Sequence, residues 1–363
     1  MPSVCNYYVT LRCNQRCTFC NIPHTNNGSP SREPRMDQVR ANLRDLKRLG
    51  VLIVDVTGGE PLLYRNIVEM LALAKKMRLL TSITTNGMLY PKYAEQLVGK
   101  VDALLFSIDS TDPEEHDRIR AMKSFHLALE ALAVARKLRQ ALYISHVVTN
   151  ESYDNVDEMV RFANDQGAIL YLNPCFSFFG NEGIDPEKAK GLKKYFGMPG
   201  VIVDRAQLAL IASGGNHRDD PVCKAVSSTV VISPENQLWL PCYHYKHEAL
   251  PIENNLYDLY KGSAVVAEAR EREGRHEFCE GCTVYCYMRN SLMWRYPGES
   301  VLMFGHYLRE RVRQRLRNVF VAPQATVRPS RPNGRRQASP SPQPADTPVA
   351  AAGDRRRLPV IGA

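Results

Sequence analysis

Three cysteines crowd the stretch "LRCNQRCTFCNIP", residues 11–23, where Cys13, Cys17 and Cys20 are separated by three and then two residues. Thiolates so placed bind soft metals. A structural zinc wants four ligands in a closed tetrahedron, and a cubane iron–sulfur cluster normally takes one cysteine per iron. Three ligands leave one metal corner open, and an open corner binds something that reacts. A second set follows far along the chain, Cys223, Cys242, Cys279, Cys282 and Cys286. Between the two sets lie polar motifs, each after an apolar run: "TGGEP" (57–61), "TTNG" (84–87), "SIDS" (107–110), "TNES" (149–152) and "LNP" (172–174). Gly58 and Gly59 bare backbone for close approach, and Glu60 is an acceptor suited to an ammonium group. Asn86, Ser107, Asp109, Asn150 and Asn173 can bond polar parts of a ligand; each read singly is equally a helix cap or an Asx-turn. Cys5 and Cys175 belong to neither set, and the histidines show no ligand spacing.

The elements that must position these residues alternate. Strand-like runs fall at 6–11, 52–57, 80–85, 103–108, 143–148 and 169–173, with helical patterns at 36–50, 67–77, 91–100, 126–138 and 153–166 between them. Val39, Leu43, Leu46 and Leu49 share one helical face that stops at Gly50. Six βα units imply a parallel sheet, open or barrel-like, with its chemistry at the strand C-terminal ends. After about Phe176 the rhythm breaks into a Gly- and Pro-punctuated connector, and "STVVISPENQLWLPCY" reads as a hairpin turning at "PEN". From Val321 too few large apolar residues remain to pack, so a disordered tail is expected.

Composition excludes some roles. The chain has 363 residues, 44% of them hydrophobic and 23% charged, and a net charge of +9. Residues 307–320 carry +4 and residues 321–363 carry +5, so the body is formally neutral and offers no basic field for nucleic acid. No run is long enough to span a bilayer, and the first strand begins too early to leave room for a signal peptide; the cytoplasm is the expected location, where ten cysteines serve metals better than disulfides. Leu308, Val312, Leu316 and Phe320 recur every four residues among arginines. This stripe is expected to cap the barrel, with membrane-surface contact the weaker alternative.

A Cys-x3-Cys-x2-Cys loop directly after the first strand, with "GGEP" one βα unit later, resembles the radical S-adenosylmethionine (radical SAM) enzymes. The resemblance implies that Cys13, Cys17 and Cys20 hold a 4Fe-4S cluster whose fourth iron is chelated by the amino and carboxylate groups of S-adenosylmethionine. It further implies that Phe19 lies near the adenine and that Gly58, Gly59 and Glu60 hold the amino group. Asn86, Ser107, Asp109, Asn150 and Asn173 fall where such enzymes surround the carboxylate, methionyl and ribose parts. The later cysteines resemble the Twitch form of the SPASM domain, which implies an auxiliary 4Fe-4S cluster on Cys223, Cys242, Cys279 and Cys282, with Cys286 as a fifth candidate. A zinc ribbon is the alternative.

The fold so implied is α/β, a partial (β/α)6 TIM-like barrel over residues 1–210, a small auxiliary cluster domain over 211–290, a helical segment over 291–320 and the tail over 321–363. The implied activity is reductive cleavage of S-adenosylmethionine and hydrogen-atom abstraction from a small-molecule, lipid or pigment substrate, with a low-potential donor such as flavodoxin or ferredoxin as partner. No cobalamin domain precedes the barrel and no Gly-Gly terminus is present, which disfavours cobalamin-dependent methyl transfer and molybdopterin-precursor cyclisation. Peptide modification is the runner-up. An electron-transfer or zinc-binding interaction protein is the alternative outside the enzymes.

Overall fold

The computed structural model of the chain describes residues 1–22, 32–177 and 183–320. The expected tail from Val321 lies outside them. Seven strands run parallel and in sequence order: β1 (Val4–Thr10), β2 (Ile53–Gly58), β3 (Leu80–Thr85), β4 (Ala103–Ser107), β5 (Tyr143–Val148), β6 (Ile169–Pro174) and β7 (Val201–Val203). The six expected strands fall within two residues of their anticipated starts; β7 is the addition. Helices alternate with the strands and cover one face of the sheet, which is the partial TIM-like barrel. The main core lies between these layers. Val54 and Val56 of β2 and Leu170 and Leu172 of β6 are buried in it, along with Val39, Leu43, Leu46 and Leu49 of the first outer helix, Met36–Arg48. The alternate positions, Asp55 and Thr57, Ser82 and Thr84, Ser107, Ser145, Tyr171 and Asn173, are only partly covered and line the lumen.

The later segment continues the same sheet. β8 (Thr229–Ile232) pairs parallel with the free edge of β1, β9 (Gln237–Leu240) returns antiparallel through the anticipated hairpin, and β10 (Glu248–Pro251) follows antiparallel. The described residues form one compact unit. The auxiliary segment is thus joined to the barrel by backbone hydrogen bonds, with Ile232 paired to Tyr7.

The last helix, Pro297–Phe320, corrects the sequence reading. Its polar residues face the protein: His306 bonds the Val201 carbonyl at 2.7 Å, Glu310 accepts from the Gly200 amide at 2.9 Å, and Gln314 donates to the Leu142 carbonyl. Leu308, Val312 and Leu316, expected to cap the barrel, are exposed. Four-residue spacing fixes which residues share a face but not which way it points; three backbone groups at or just before β5 and β7 claimed the polar side. Among the described residues no helix is long and apolar enough to cross a membrane.

Candidate active site

The three-cysteine loop leaves the C-terminal end of β1 and is held on two sides. On one, the Gly59 amide donates to the Thr10 carbonyl and the Glu60 amide to the Arg12 carbonyl, both at 2.8 Å. A Cβ at Gly58 would meet the Thr10 carbonyl oxygen at 1.9 Å, and at Gly59 the Arg12 oxygen at 2.1 Å, so only glycine lets the two strand ends interlock. On the other side, the Arg16 and Thr18 amides donate to the Arg120 and Ile119 carbonyls at the end of the helix Pro113–Arg120. Cys17 is buried, while Cys13 and Cys20 are partly covered. Burial pushes the Cys13 thiol up to about 12 and the Cys20 thiol to about 11, so cluster assembly must displace their protons.

Glu60 is buried and accepts from the Leu62 amide (3.0 Å), the Thr85 hydroxyl (2.8 Å) and the Asn86 amide (2.9 Å). Burial raises its carboxyl nonetheless, against those three donors. The carboxylate therefore ties the end of β2 to the end of β3, leaving acceptor capacity on one oxygen for a cation. Asn86 donates to Asn14 at 2.6 Å and so ties β3 to the cysteine loop.

Sequence reasoning missed Arg120. The helix that carries it, "PEEHDRIR", is short and mostly charged, without the apolar period that marks the other helices. Asp112 caps its start, accepting from the Glu115 amide at 2.8 Å. Arg120 pairs with Asp109 at 2.5 Å, both buried, reaches the Cys17 sulfur at 3.4 Å, and lies 5.6 Å from the Phe19 ring centre. A fixed cation beside a cluster ligand offsets the negative charge that cluster binding brings. Asp109, expected to meet a ribose, is instead engaged by Arg120, the Val147 amide at 2.9 Å and His146 at 3.5 Å; these hold its carboxyl down at about 2 despite burial. Asn150 departs likewise, bonding Gly183 and Asp185 in the next loop. Asn173 donates to Ser145 within the lumen at 3.0 Å, and Ser107 is partly covered there.

The second set resolves into four. Cys223, Cys242, Cys279 and Cys282 lie within electrostatic reach of one another. Cys286, the fifth candidate, stands apart: it is reachable by water and neighbours Asp55, Arg289, Tyr8 and Tyr287 in the lumen. Cys282 lies in the turn before the helix Tyr285–Arg295, whereas Cys286 lies inside that helix. Three of the four, Cys223, Cys279 and Cys282, are stitched by Asn216, another residue with no sequence signal. Its side chain accepts from the Cys223 amide (2.9 Å) and donates to the Gly274 and Cys279 carbonyls (2.8 and 3.0 Å), while its backbone bonds Cys282 and Gly281. Among the described residues no group of three His, Cys, Asp or Glu could hold a single metal ion. Three clustered thiols at the barrel mouth and four in the auxiliary segment supply the soft sulfur donors that an iron–sulfur cluster takes.

Residues 7–163 match the Radical SAM superfamily. Members of that superfamily use a 4Fe-4S cluster and S-adenosylmethionine. The chain is 28% identical over 166 residues to a probable GTP 3',8-cyclase of Pyrococcus abyssi, covering 45% of this chain and 54% of that one. It is 30% identical over 181 residues to the mycofactocin maturase MftC of Mycolicibacterium smegmatis, covering 47% and 44%. The chain thus spans about half the length of the curated relatives it matches. Among solved structures, Streptococcus suis SuiB bound to S-adenosylmethionine aligns with a TM-score of 0.64 at 18% identity, over 78% of this chain and 71% of that one, a likeness of fold.

Three outcomes test this site. Arg120→Ala leaves Asp109 buried without its cation and should cost about 3–5 kcal/mol in urea unfolding, with part recovered in the Asp109→Asn double variant. His116 is buried against Asp109 and Phe125, and burial lowers its imidazole to about 4. The unfolded chain then binds a proton that the folded one refuses, so stability should fall as pH drops from about 6.5 to about 4, and His116→Gln should flatten that slope. Asn216→Ala should lower iron in anaerobically reconstituted protein from about eight to about four per chain.

Proposed function

We propose that the chain cleaves S-adenosylmethionine reductively at the barrel mouth and uses the product to abstract a hydrogen atom from a small-molecule, lipid or pigment substrate in the lumen, giving an oxidised or rearranged product. The observation that carries this reading is the position of Cys13, Cys17 and Cys20 against Glu60 and Arg120, with a polar lumen directly beneath. When bound, the 4Fe-4S cluster supplies the electron that converts S-adenosylmethionine into methionine and a 5′-deoxyadenosyl radical. Arg120 supplies fixed positive charge beside Cys17, and the spare acceptor on Glu60 suits the cofactor's ammonium. A low-potential flavodoxin or ferredoxin is the expected electron donor.

The lumen is built to hold a polar group. Arg289 reaches into it among Tyr285, Tyr171, Asp204 and Tyr307, which keep its guanidinium charged. Asp55 accepts from Ser82 across β2 and β3, and enclosure raises its carboxyl. The Tyr8 and Tyr287 hydroxyls meet at 2.8 Å between Cys286 and the auxiliary ligand Cys242. This couple supports an auxiliary cluster on Cys223, Cys242, Cys279 and Cys282 that communicates with the substrate. A second reading, peptide modification, is favoured by the similarity to MftC and by the SuiB structure bound to precursor peptide SuiA. Cys17→Ala should abolish 5′-deoxyadenosine formation under dithionite while the fold persists by circular dichroism; wild-type cleavage by that variant would remove the three-cysteine loop from the chemistry.

A further inference from the structure

The helix Pro297–Phe320 is inside out for a helix covering a barrel. Its polar residues are spent on the protein, and its large apolar residues face solvent, from 46% exposed at Leu308 to 71% at Val301, with Phe304, Val312 and Leu316 between. Trp294, just before it, is 89% exposed. Scattered single exposures need no account, but a stripe repeated over successive turns of one helix does. At 3.6 residues per turn, Val301, Leu308, Val312 and Leu316 form the centre of the outward face. Arg309 and Arg313 lie along one flank of that stripe, and Arg311 and Arg315 along the other.

From this arrangement we propose that the outward face of Pro297–Phe320, with Trp294, docks the protein on an anionic lipid surface. An apolar strip flanked on both sides by arginines matches a bilayer interface, where the strip enters the acyl boundary and the guanidinium groups remain at the anionic headgroups. A protein partner or a second copy could cover the strip but would gain little from both arginine rows unless it carried matching acidic rows. A second copy would instead set arginine rows against each other. The helix's one acidic residue within the arginine-rich part, Glu310, is turned inward, bonded to Gly200 and paired with Arg313 and Arg309, so that flank keeps a net positive charge of two arginines against one carboxylate. An exposed indole at the head of the strip suits the interface, which favours an apolar ring with a polar edge.

The test uses the full chain with vesicles of equal parts phosphatidylglycerol and phosphatidylcholine, and with pure phosphatidylcholine vesicles. The wild type should sediment with the anionic vesicles at low salt and release as ionic strength rises. Trp294 emission should shift to the blue on binding; the only other tryptophan, Trp239, is already buried. Leu308→Glu with Val312→Glu should cut the bound fraction about tenfold or more. Arg309→Glu with Arg315→Glu, which keeps the strip, should also lose the anionic preference, and both variants should retain 5′-deoxyadenosine formation as proof of folding. The proposal is overturned if the wild type stays in solution at low salt. It is equally overturned if both variants bind as well as the wild type, since the basic residues after 320 would then suffice. A wild-type dimer in sedimentation equilibrium that Leu308→Glu with Val312→Glu dissociates would give the strip to a second copy.

Discussion

β1 is hydrogen-bonded on both sides to parallel strands, β2 and β8, and everything chemical in this protein is registered against it. Its end delivers the first cysteine loop. Its neighbour β2 delivers the Gly-Gly turn in the same register, and its other neighbour β8 starts the hairpin that leads to Cys242. Parallel strands cannot be joined by a tight turn, so the chain must complete the whole barrel before β8 returns beside β1. Residues more than 200 apart are thereby set in adjacent strands, as with Tyr7 and Ile232. Inward from this strand, Tyr8 stacks on Tyr243 at 4.8 Å, so the same backbone also carries the wall between the barrel and the auxiliary segment.

The strands were legible because fully covered parallel strands are short apolar runs with turn residues after them, and the outer helices because their buried faces repeat at helical spacing. The cysteine sets were legible from residue type and spacing alone. What was hidden depends on three-dimensional pairing. Asp109 and Arg120 are separated by a polar segment that reads as surface, yet both are buried because each neutralises the other. Asn216 looks like any loop asparagine until the segments of Cys223, Gly274 and Cys279–Cys282 are assembled around it. Cys286 stands near the ligands in sequence, but it sits in the helix Tyr285–Arg295 beside Asp55 and Arg289 while Cys282 stays in the turn before that helix. In the final helix the period was right and its sense was reversed.

A cluster of buried titratable groups sits at the mouth of the barrel. Glu60, Asp109, Arg120, His116 and His146 are all buried there. Such groups cost desolvation, and replacing them with apolar residues is often neutral or better for stability alone. Their presence is better explained by what they must hold still. Charged ligands bind well where the fields are fixed in advance, because no reorganisation is then needed when charge moves. The carboxylate of Glu60, with its three donors, and the Arg120 guanidinium between Asp109 and Cys17 are both held before any ligand arrives.

The way the last helix lies against β7 has a consequence for how this protein can be handled. β7 is an edge strand, and an unprotected edge is a template for pairing with another chain. His306 occupies the Val201 carbonyl in β7, while Glu310 and Gln314 hold Gly200 and Leu142 just before β7 and β5, so the helix covers the edge where an eleventh strand would otherwise pair. The helix cannot swing out as a hinged anchor without uncovering that edge. Shortening the chain at residue 296 to gain solubility would therefore trade one exposed apolar strip for a strand edge open to self-association.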